Sequence, residues 1–428
     1  MNKRVVILNV VGLAPRYFEQ PDLVPNLSKL MMRPMRPSFP AVTCSMQATL
    51  LTGLPPSEHG IIANGYFDRE TFEVKFWEQP ASLVKRVRLW DMLPQCKTAV
   101  LFWQNSMFIN ADIVVTPRPL HADHKLIQWC YSKPVGYYEE LAAEIGDFKL
   151  QSYWGPVAGI GSSRWIARAA QVTWRKQKPD LMAVYLPHLD YAAQKFGPDA
   201  TETRQALREI DAIAGELLED FEEAAVVVCS EYSLSPVDGV IYPNRLLREA
   251  GLLRVREIAG REYLDFELSD AFAMVDHQVA HIYCKPGKVD AARAALPGVE
   301  FATINHPRAG ELVAVAPKGK WFAYYWWEDW AKAPDFAYFV DIHRKPGYDP
   351  CELWFDWKRM ARTFKPQTAT NPALVKGSHG RVGEDGDGLA VLLLNERAAA
   401  VAGELPVKVA ATDVAPLVCR LLGQGAGM

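Results

Sequence analysis

The chain has 428 residues, 49% hydrophobic and 23% charged, with a net charge of −3. This ordinary globular balance can bury a large core without disulfides or a structural metal. It excludes a broad nucleic-acid-binding face, which needs a strong excess of Lys and Arg, and no apolar run approaches the ~20 residues that span a bilayer.

In chain order, the first predicted element is a core strand over Arg4–Val10. It is read as a core strand and not as a signal peptide, because Asn9 interrupts the apolar run and no A-x-A pattern follows. Further apolar runs predict buried strands at 98–103, 181–187, 225–230, 280–284 and 389–395. Amphipathic helical segments lie between them at 161–177 and 201–221. The alternation predicts one α/β domain over 1–428, with a mostly parallel central sheet and helices on both faces. Residues 411–423 read as a closing helix, with Thr412 or Asp413 near its N-cap and Gly423 after its last turn. The segment from about 240 to 375 breaks the alternation and is dense in aromatics, as in "KWFAYYWWEDWAKAPDFAYF". It is expected to cap the sheet edge and wall a pocket, or equally to form an aromatic core or an interface. Seven scattered cysteines without a CxxC pair fit free thiols in a reducing compartment, so the expected location is the cytoplasm.

The most informative stretch is "PSFPAVTCSMQATLLTGLPPSEHGIIANGYFD", residues 37–68. Thr43 precedes a helix-like run, Cys44–Thr52. A hydroxyl there is most often a helix cap. It can also be a nucleophile, because free helix amides stabilise an incoming phosphate. Thr52-Gly53, Pro56, His59-Gly60-Ile61 and Asn64 follow. Their spacing resembles the nucleotide pyrophosphatase/phosphodiesterase branch of the alkaline phosphatase superfamily. The resemblance extends to phosphonoacetate hydrolases through "PPSEHGI", Asn64 and "YFD". It implies Thr43 as nucleophile and Asn64 as a partner of the transferring phosphoryl oxygen. His59 is expected to stabilise a turn. "YLPHLDYAAQKFGPDA" (185–200), "CSEYSL" (229–234), "GSHG" (377–380) and "ATDVAPLVCRLLG" resemble later family blocks, in the family's order. The likeness spans nearly the whole chain and implies an alkaline-phosphatase-like fold with cap elements.

The family holds two divalent ions, usually zinc, on Asp and His. The resemblance implies Asp190, Glu231, His379 and Gln194 as the remaining metal-binding positions. Four family ligands are replaced: Val11 stands where Asp is expected, Gln194 for His, Tyr232 for His and Glu231, a longer substitute still able to bind a metal, for Asp. The usual two-zinc pair is therefore not expected, and the oxygen-rich remainder suits Mg²⁺ or Mn²⁺ better than Zn²⁺. Replacement ligands or substrate-binding residues are sought in "VDHQVAHIY", with His277 and His281 four apart. "VDIHRKPGYDP" offers Asp341, His343 and Arg344, the last able to bind phosphate or carboxylate. Asp341 and His343 are expected at the carboxyl edge of the sheet, facing Thr43. For any one of these residues an ordinary loop ion-pair network is the commoner outcome. His188 is expected on the side of Asp190 if the strand continues, and His121 and His124 at the surface. Two readings stay open. One is a hydrolase or transferase of a small phosphate ester, diester or phosphonate. The other is a binding or scaffold protein that keeps the fold without turnover.

Overall fold

The computed structural model describes residues 3–122, 125–383 and 386–424. The side chain of His121 and all of His124 lie outside the described residues. In chain order the main sheet comprises β1 (Val5–Val10), β2 (Met31–Arg36), β3 (Thr98–Leu101), β4 (Ile113–Pro117), β5 (Cys130–Lys133), β6 (Leu181–Leu186), β7 (Ala225–Cys229), β8 (Ala390–Leu394) and β9 (Val409–Ala410). Their spatial order is β9-β2-β8-β7-β1-β6-β3-β4-β5. The central strands β7, β1, β6, β3 and β4 run parallel, with Val5 paired to Leu181 on one side and to Ala225 on the other. β8 and β5 flank them antiparallel. β1 and β6 are buried at every residue, as their unbroken apolar composition requires. The predicted α/β sheet is thus present, with mixed edges. The 98–103 run ends at Leu101, because Phe102 turns the chain at a φ of 65°.

Helices α1 (Thr43–Thr52), α2 (Ile160–Gln177), α3 (His188–Phe196) and α4 (Thr201–Asp220) connect the sheet. α2 buries Trp165, Ile166, Ala169 and Ala170, and α4 buries Leu207, Ile210, Ala214 and Leu217. These are the i, i+3, i+4 stripes that a helix lays on a sheet. β6 stops at Leu186 and α3 begins at His188, so the strand does not continue through Asp190. His188 turns instead to α4, where Nε2 meets the Glu209 carboxylate at 2.8 Å.

Residues 237–375 supply most of a second apolar cluster. Its frame is an antiparallel sheet in the order 271–276, 279–284, 312–315, 300–302. The aromatic run is mostly core: Trp321, Phe322, Tyr324, Tyr325, Trp326 and Trp327 are almost fully buried. The hairpin turn of this sheet carries Asp276 and His277, the latter at a φ of 61°. Gln278 N donates to His379 O at 2.9 Å and Phe322 N to His277 O at 2.9 Å, so the turn is locked against the "GSHG" segment. Gly377 permits that segment to approach α3, since a Cβ there would lie 2.1 Å from Ala193 O.

Lys345 is almost fully buried between Asp349, at 2.9 Å, and Glu352, at 2.6 Å. The carboxylates also accept from Tyr325, Trp154 and the backbone of Asp341 and Cys351. The cluster fixes the loop that presents Tyr348. Lys345→Met should leave two buried carboxylates without their cation and lower stability by about 3–5 kcal/mol. Adding Asp349→Asn and Glu352→Gln should recover part of that loss, as measured by denaturant unfolding. Equal stability of Lys345→Met and wild type would show that the cluster is not anchoring the loop.

Candidate active site

The site forms where β1, β6 and β7 end, at the carboxyl edge of the parallel strands, the usual ligand edge of such sheets. β7 delivers Ser230, Glu231 and Tyr232. Ser230 Oγ donates to Leu13 O and accepts from Val391 N, which ties the strand end to its neighbours. Gly12, at a φ of 81°, turns the chain after β1 and leaves Val11 fully buried.

Thr43 is the first residue of α1, and Val42 occupies the N-cap. The hydroxyl therefore does not cap the helix. It lies 3.1 Å from the Tyr232 hydroxyl. The cap is supplied from elsewhere, because Asn64 Oδ1 accepts from Cys44 N at 2.8 Å. Asn64 is itself pinned by Asp276: its backbone N and Nδ2 both donate to that carboxylate, at 2.8 and 3.1 Å. His59 holds the turn below, with Nε2 3.1 Å from Thr49 Oγ1 and Nδ1 accepting from Ile61 N. This is the turn-stabilising role expected of it.

Glu231 and Asp190 are both buried. Glu231 Oε1 accepts from Asn9 Nδ2 at 2.6 Å and Gln47 Nε2 at 2.7 Å, while Oε2 has no partner. Asp190 accepts from Gln194 Nε2 at 2.6 Å and from the Tyr232 hydroxyl at 3.5 Å. Burial pushes the Glu231 carboxyl up to about 8, against the opposing pull of the two amides. It raises the Asp190 carboxyl to about 7, opposed by Gln194 and Tyr232. Burial also holds the Tyr232 phenol well above its ordinary value, so it stays neutral.

Four rings stack beside this pair. Tyr232 lies on His379 with centroids 3.5 Å apart and planes 7° apart. His379 meets His277 at 3.7 Å, and His277 stacks on Tyr348 at 3.6 Å. The Tyr348 hydroxyl then donates to Gln194 Oε1 at 2.7 Å. Asp190, Tyr232, His379, His277, Tyr348 and Gln194 thus close a circuit. Both imidazoles are held through Nδ1, His379 by Ala41 O and His277 by Asp276, so each Nε2 is a buried lone pair without a partner.

The donors do not fit the two-ion centre on Asp and His described above for the resembling family. Valine offers nothing at position 11, and a neutral phenol is a poor ligand at 232. The Gln194 amide is spent on Asp190 and Tyr348. Among the described residues, no three His, Cys, Asp or Glu side chains converge to hold a metal.

Of the sequence candidates, Thr43, Asn64, Asp190, Gln194, Glu231, His379 and His277 come together. His281 does not join them. Its Nε2 meets Ile62 O and its Nδ1 accepts from Gly310 N, so it braces the loop behind. Asp341, His343 and Arg344 also stay outside. His343 is exposed and its Nδ1 meets Phe76 O, while Arg344 pairs with Asp335 at 2.8 Å and Asp341 at 3.2 Å. Asp341 and Arg344 are satisfied in a loop ion-pair network and His343 on the Phe76 carbonyl, away from the contacts of Thr43, Asp190 and Glu231. Sequence reasoning missed Asn9, Gln47, Asp276 and Tyr348. Asn9 carried a signal, as the polar break in an apolar strand. Gln47 carried another, one helical turn beyond Thr43 on the same face.

The model of the type I phosphodiesterase/nucleotide pyrophosphatase family matches residues 5–349. An uncharacterized pyrophosphatase/phosphodiesterase of Schizosaccharomyces pombe is 22% identical over 313 residues, covering 69% of this chain and 56% of that protein. Ectonucleotide pyrophosphatase/phosphodiesterase family member 3 of Bos taurus is 23% identical over 243 residues, covering 53% of this chain and 23% of that protein. The chain therefore matches about half or less of the length of these relatives. The phosphonoacetate hydrolase of Sinorhizobium meliloti, solved with phosphonoformate, has a similar fold. Its TM-score is 0.62 at 17% identity, covering 98% of this chain and 96% of that one. Murine ectonucleotide pyrophosphatase/phosphodiesterase 5 gives a TM-score of 0.59 at 15% identity, covering 99% and 96%.

The combined variant Val11→Asp, Gln194→His, Glu231→Asp and Tyr232→His should raise bound zinc towards two per chain, read by elemental analysis after dialysis. Stripped with chelator, it should melt below wild type, because the new Asp would be buried without a counter-charge. Unchanged zinc content in this variant would show that these positions are not what excludes the ion pair.

Proposed function

The chain belongs to the type I phosphodiesterase/nucleotide pyrophosphatase family, and from that premise we propose that it is a hydrolase or transferase of small phosphate esters, phosphodiesters or phosphonates, with Thr43 as nucleophile and an altered metal site. The observation that carries this reading is the placement of the Thr43 hydroxyl. It sits at the start of α1, uninvolved in capping and 3.1 Å from the Tyr232 hydroxyl. A nucleophile at a helix start meets an anionic substrate where the helix dipole favours it. Structures of the same fold support the substrate class. One is a phosphonoacetate hydrolase with phosphonoformate, another an inactive threonine-to-alanine form of a murine phosphodiesterase with AMP.

In this reading Thr43 Oγ1 attacks phosphorus, and the bond to the leaving oxygen breaks. The Thr43 proton passes to the Tyr232 oxygen while the phenol hands its own proton to the ionised Asp190 carboxylate, along the contacts of 3.1 and 3.5 Å. Water then releases the phosphoryl group from Thr43, as phosphate from a monoester, as a phosphomonoester from a diester or as a phosphonate from a phosphonate ester, or a second alcohol accepts it. Asn64, pinned by Asp276, stands beside the helix start to meet a phosphoryl oxygen. The two-ion chemistry of the family is not assigned to this site. Glu231 Oε2 and His379 Nε2 are the family-position atoms without partners, so in this reading they are the donors left open to an ion. The chain's seven free cysteines support a cytoplasmic location. Among the described residues, no helix is long and apolar enough to cross a membrane.

A second reading is favoured by the closed circuit through Tyr232 and Gln194. A binding protein would keep such a network as structure and would not turn over. Thr43→Ala separates the two. In the enzyme reading, wild type hydrolyses an activated aryl phosphodiester with Mg²⁺, Mn²⁺ or Zn²⁺ supplied. The variant loses at least about a thousandfold in kcat/KM. Its stability should change by less than ~1 kcal/mol, since no cap is lost. Full activity in the variant would remove Thr43 as nucleophile. No turnover by wild type with any of the three ions would establish the binding reading in its place.

A further inference from the structure

Residues 354–365, "WFDWKRMARTFK", form a short protruding helix, Trp357–Thr363, with its cap. Its inner side is anchored. Asp356 accepts from Arg359 N at 2.9 Å, the Arg359 guanidinium lies 3.4 Å over the Tyr338 ring, and Asp356 N donates to Gln367 O. Its outer side is unusual. Trp357, Met360, Ala361 and Phe364 fall at i, i+3, i+4 and i+7, the spacing of an apolar helix stripe. That stripe is not laid on the core. Trp357 is 68% exposed and Phe364 91% exposed. Ala361 is exposed and Met360 half-buried. Phe364 carries a second cost. It is the C-cap residue, at a φ of 55°, where glycine or asparagine is the ordinary choice. A bulky exposed aromatic in a left-handed conformation gains nothing from this fold.

Lys358, Arg362 and Lys365 flank the stripe at i, i+4 and i+7, all exposed. None of the three has a carboxylate within ion-pair distance among the described residues. The one acid nearby, Asp356, is spent on the cap. The segment thus combines exposed aromatics with an unneutralised cationic row, on a chain whose net charge is −3.

We infer that this tip docks on an anionic lipid surface, with Trp357 and Phe364 seated at the headgroup level and Lys358, Arg362 and Lys365 facing lipid phosphates. The pattern is that of an interfacial amphipathic helix with basic flanks. A second copy of the chain is a poorer occupant. Two such tips meeting about a two-fold axis would oppose their own cations. A helix of 7 residues also falls far short of the ~800 Å² per partner that a stable dimer buries. Single-stranded nucleic acid would use the cations and aromatics but would gain nothing from Met360 and Ala361. This inference is independent of the chemistry proposed for Thr43.

The test is co-sedimentation of the full chain with vesicles of phosphatidylcholine alone or with about a third phosphatidylglycerol, run beside a single-stranded oligonucleotide and analytical ultracentrifugation. The chain should sediment with the anionic vesicles, stay in solution with the neutral ones, and release at raised salt. Phe364→Gly should weaken vesicle binding about tenfold. Its melting temperature should hold or rise, since glycine suits that φ. Lys358→Gln, Arg362→Gln and Lys365→Gln together should weaken it about a hundredfold. Trp357→Ser serves as a second apolar probe. No binding of wild type to anionic vesicles overturns the inference. So does binding that Phe364→Gly and Trp357→Ser leave unchanged, a dimer that either variant dissolves, or oligonucleotide binding without vesicle binding.

Discussion

Tyr232 lies flat on His379 at 3.5 Å, and that contact closes the circuit that runs through His277, Tyr348, Gln194 and Asp190. The six members arrive on five different parts of the chain: a strand end, the "GSHG" segment, a hairpin turn of the second sheet, an aromatic loop and α3, which carries both Asp190 and Gln194. The circuit therefore sets where the second sheet sits against the first. Buried polar groups are costly unless they satisfy one another. Here the carboxylate, amide and phenols satisfy one another, while the Nε2 of each imidazole in the circuit has no partner. The Lys345 cluster supports the circuit from outside by fixing the loop that carries Tyr348.

The departures from the family pattern make sense as one set. A carboxylate at position 11 would add a third buried acid beside Asp190 and Glu231, with no cation to offset it. Valine removes that charge. Glu231 is one methylene longer than Asp, and its Oε1 reaches the two amides of Asn9 and Gln47. Gln194 donates to Asp190 and accepts from Tyr348, a double role that suits an amide. Tyr232 brings a hydroxyl between Thr43 and Asp190. On the proposed reading, Gln194 and Tyr232 are neutral hydrogen-bonding groups and Val11 an apolar one at positions where the family holds metal ligands, beside the carboxyl groups of Asp190 and Glu231. On the same reading, Thr43 and Asn64 at the start of α1 hold the nucleophile and phosphoryl-binding positions.

The sheet was legible in the sequence because its central strands are buried on both faces and so read as unbroken apolar runs. The family blocks were legible because glycine, threonine and histidine recur at fixed spacing. Strand ends were harder. Phe102 ends its strand through a positive φ that no composition signals, and Pro187 passes directly into α3, which turned His188 towards Glu209. The replacement cluster was misplaced for a related reason. Asp341, His343 and Arg344 have ligand chemistry, but their orientation depends on contacts with Asp335, Phe76 and Glu352 that lie far from any local pattern. His277 was legible as a candidate, whereas its role as a stacked ring between His379 and Tyr348 depends on tertiary packing alone.

The central claim is that a phenol-centred network occupies the place of the family's ion pair. The most direct measurement is a crystal structure grown with zinc, with anomalous data collected at the zinc edge. The account predicts the Tyr232 hydroxyl between Thr43 and Asp190, its ring on His379, and no pair of anomalous peaks in the site. Two peaks about 3.5–4 Å apart, coordinated by Thr43, Asp190, Glu231 and His379 with Tyr232 swung out, would contradict it.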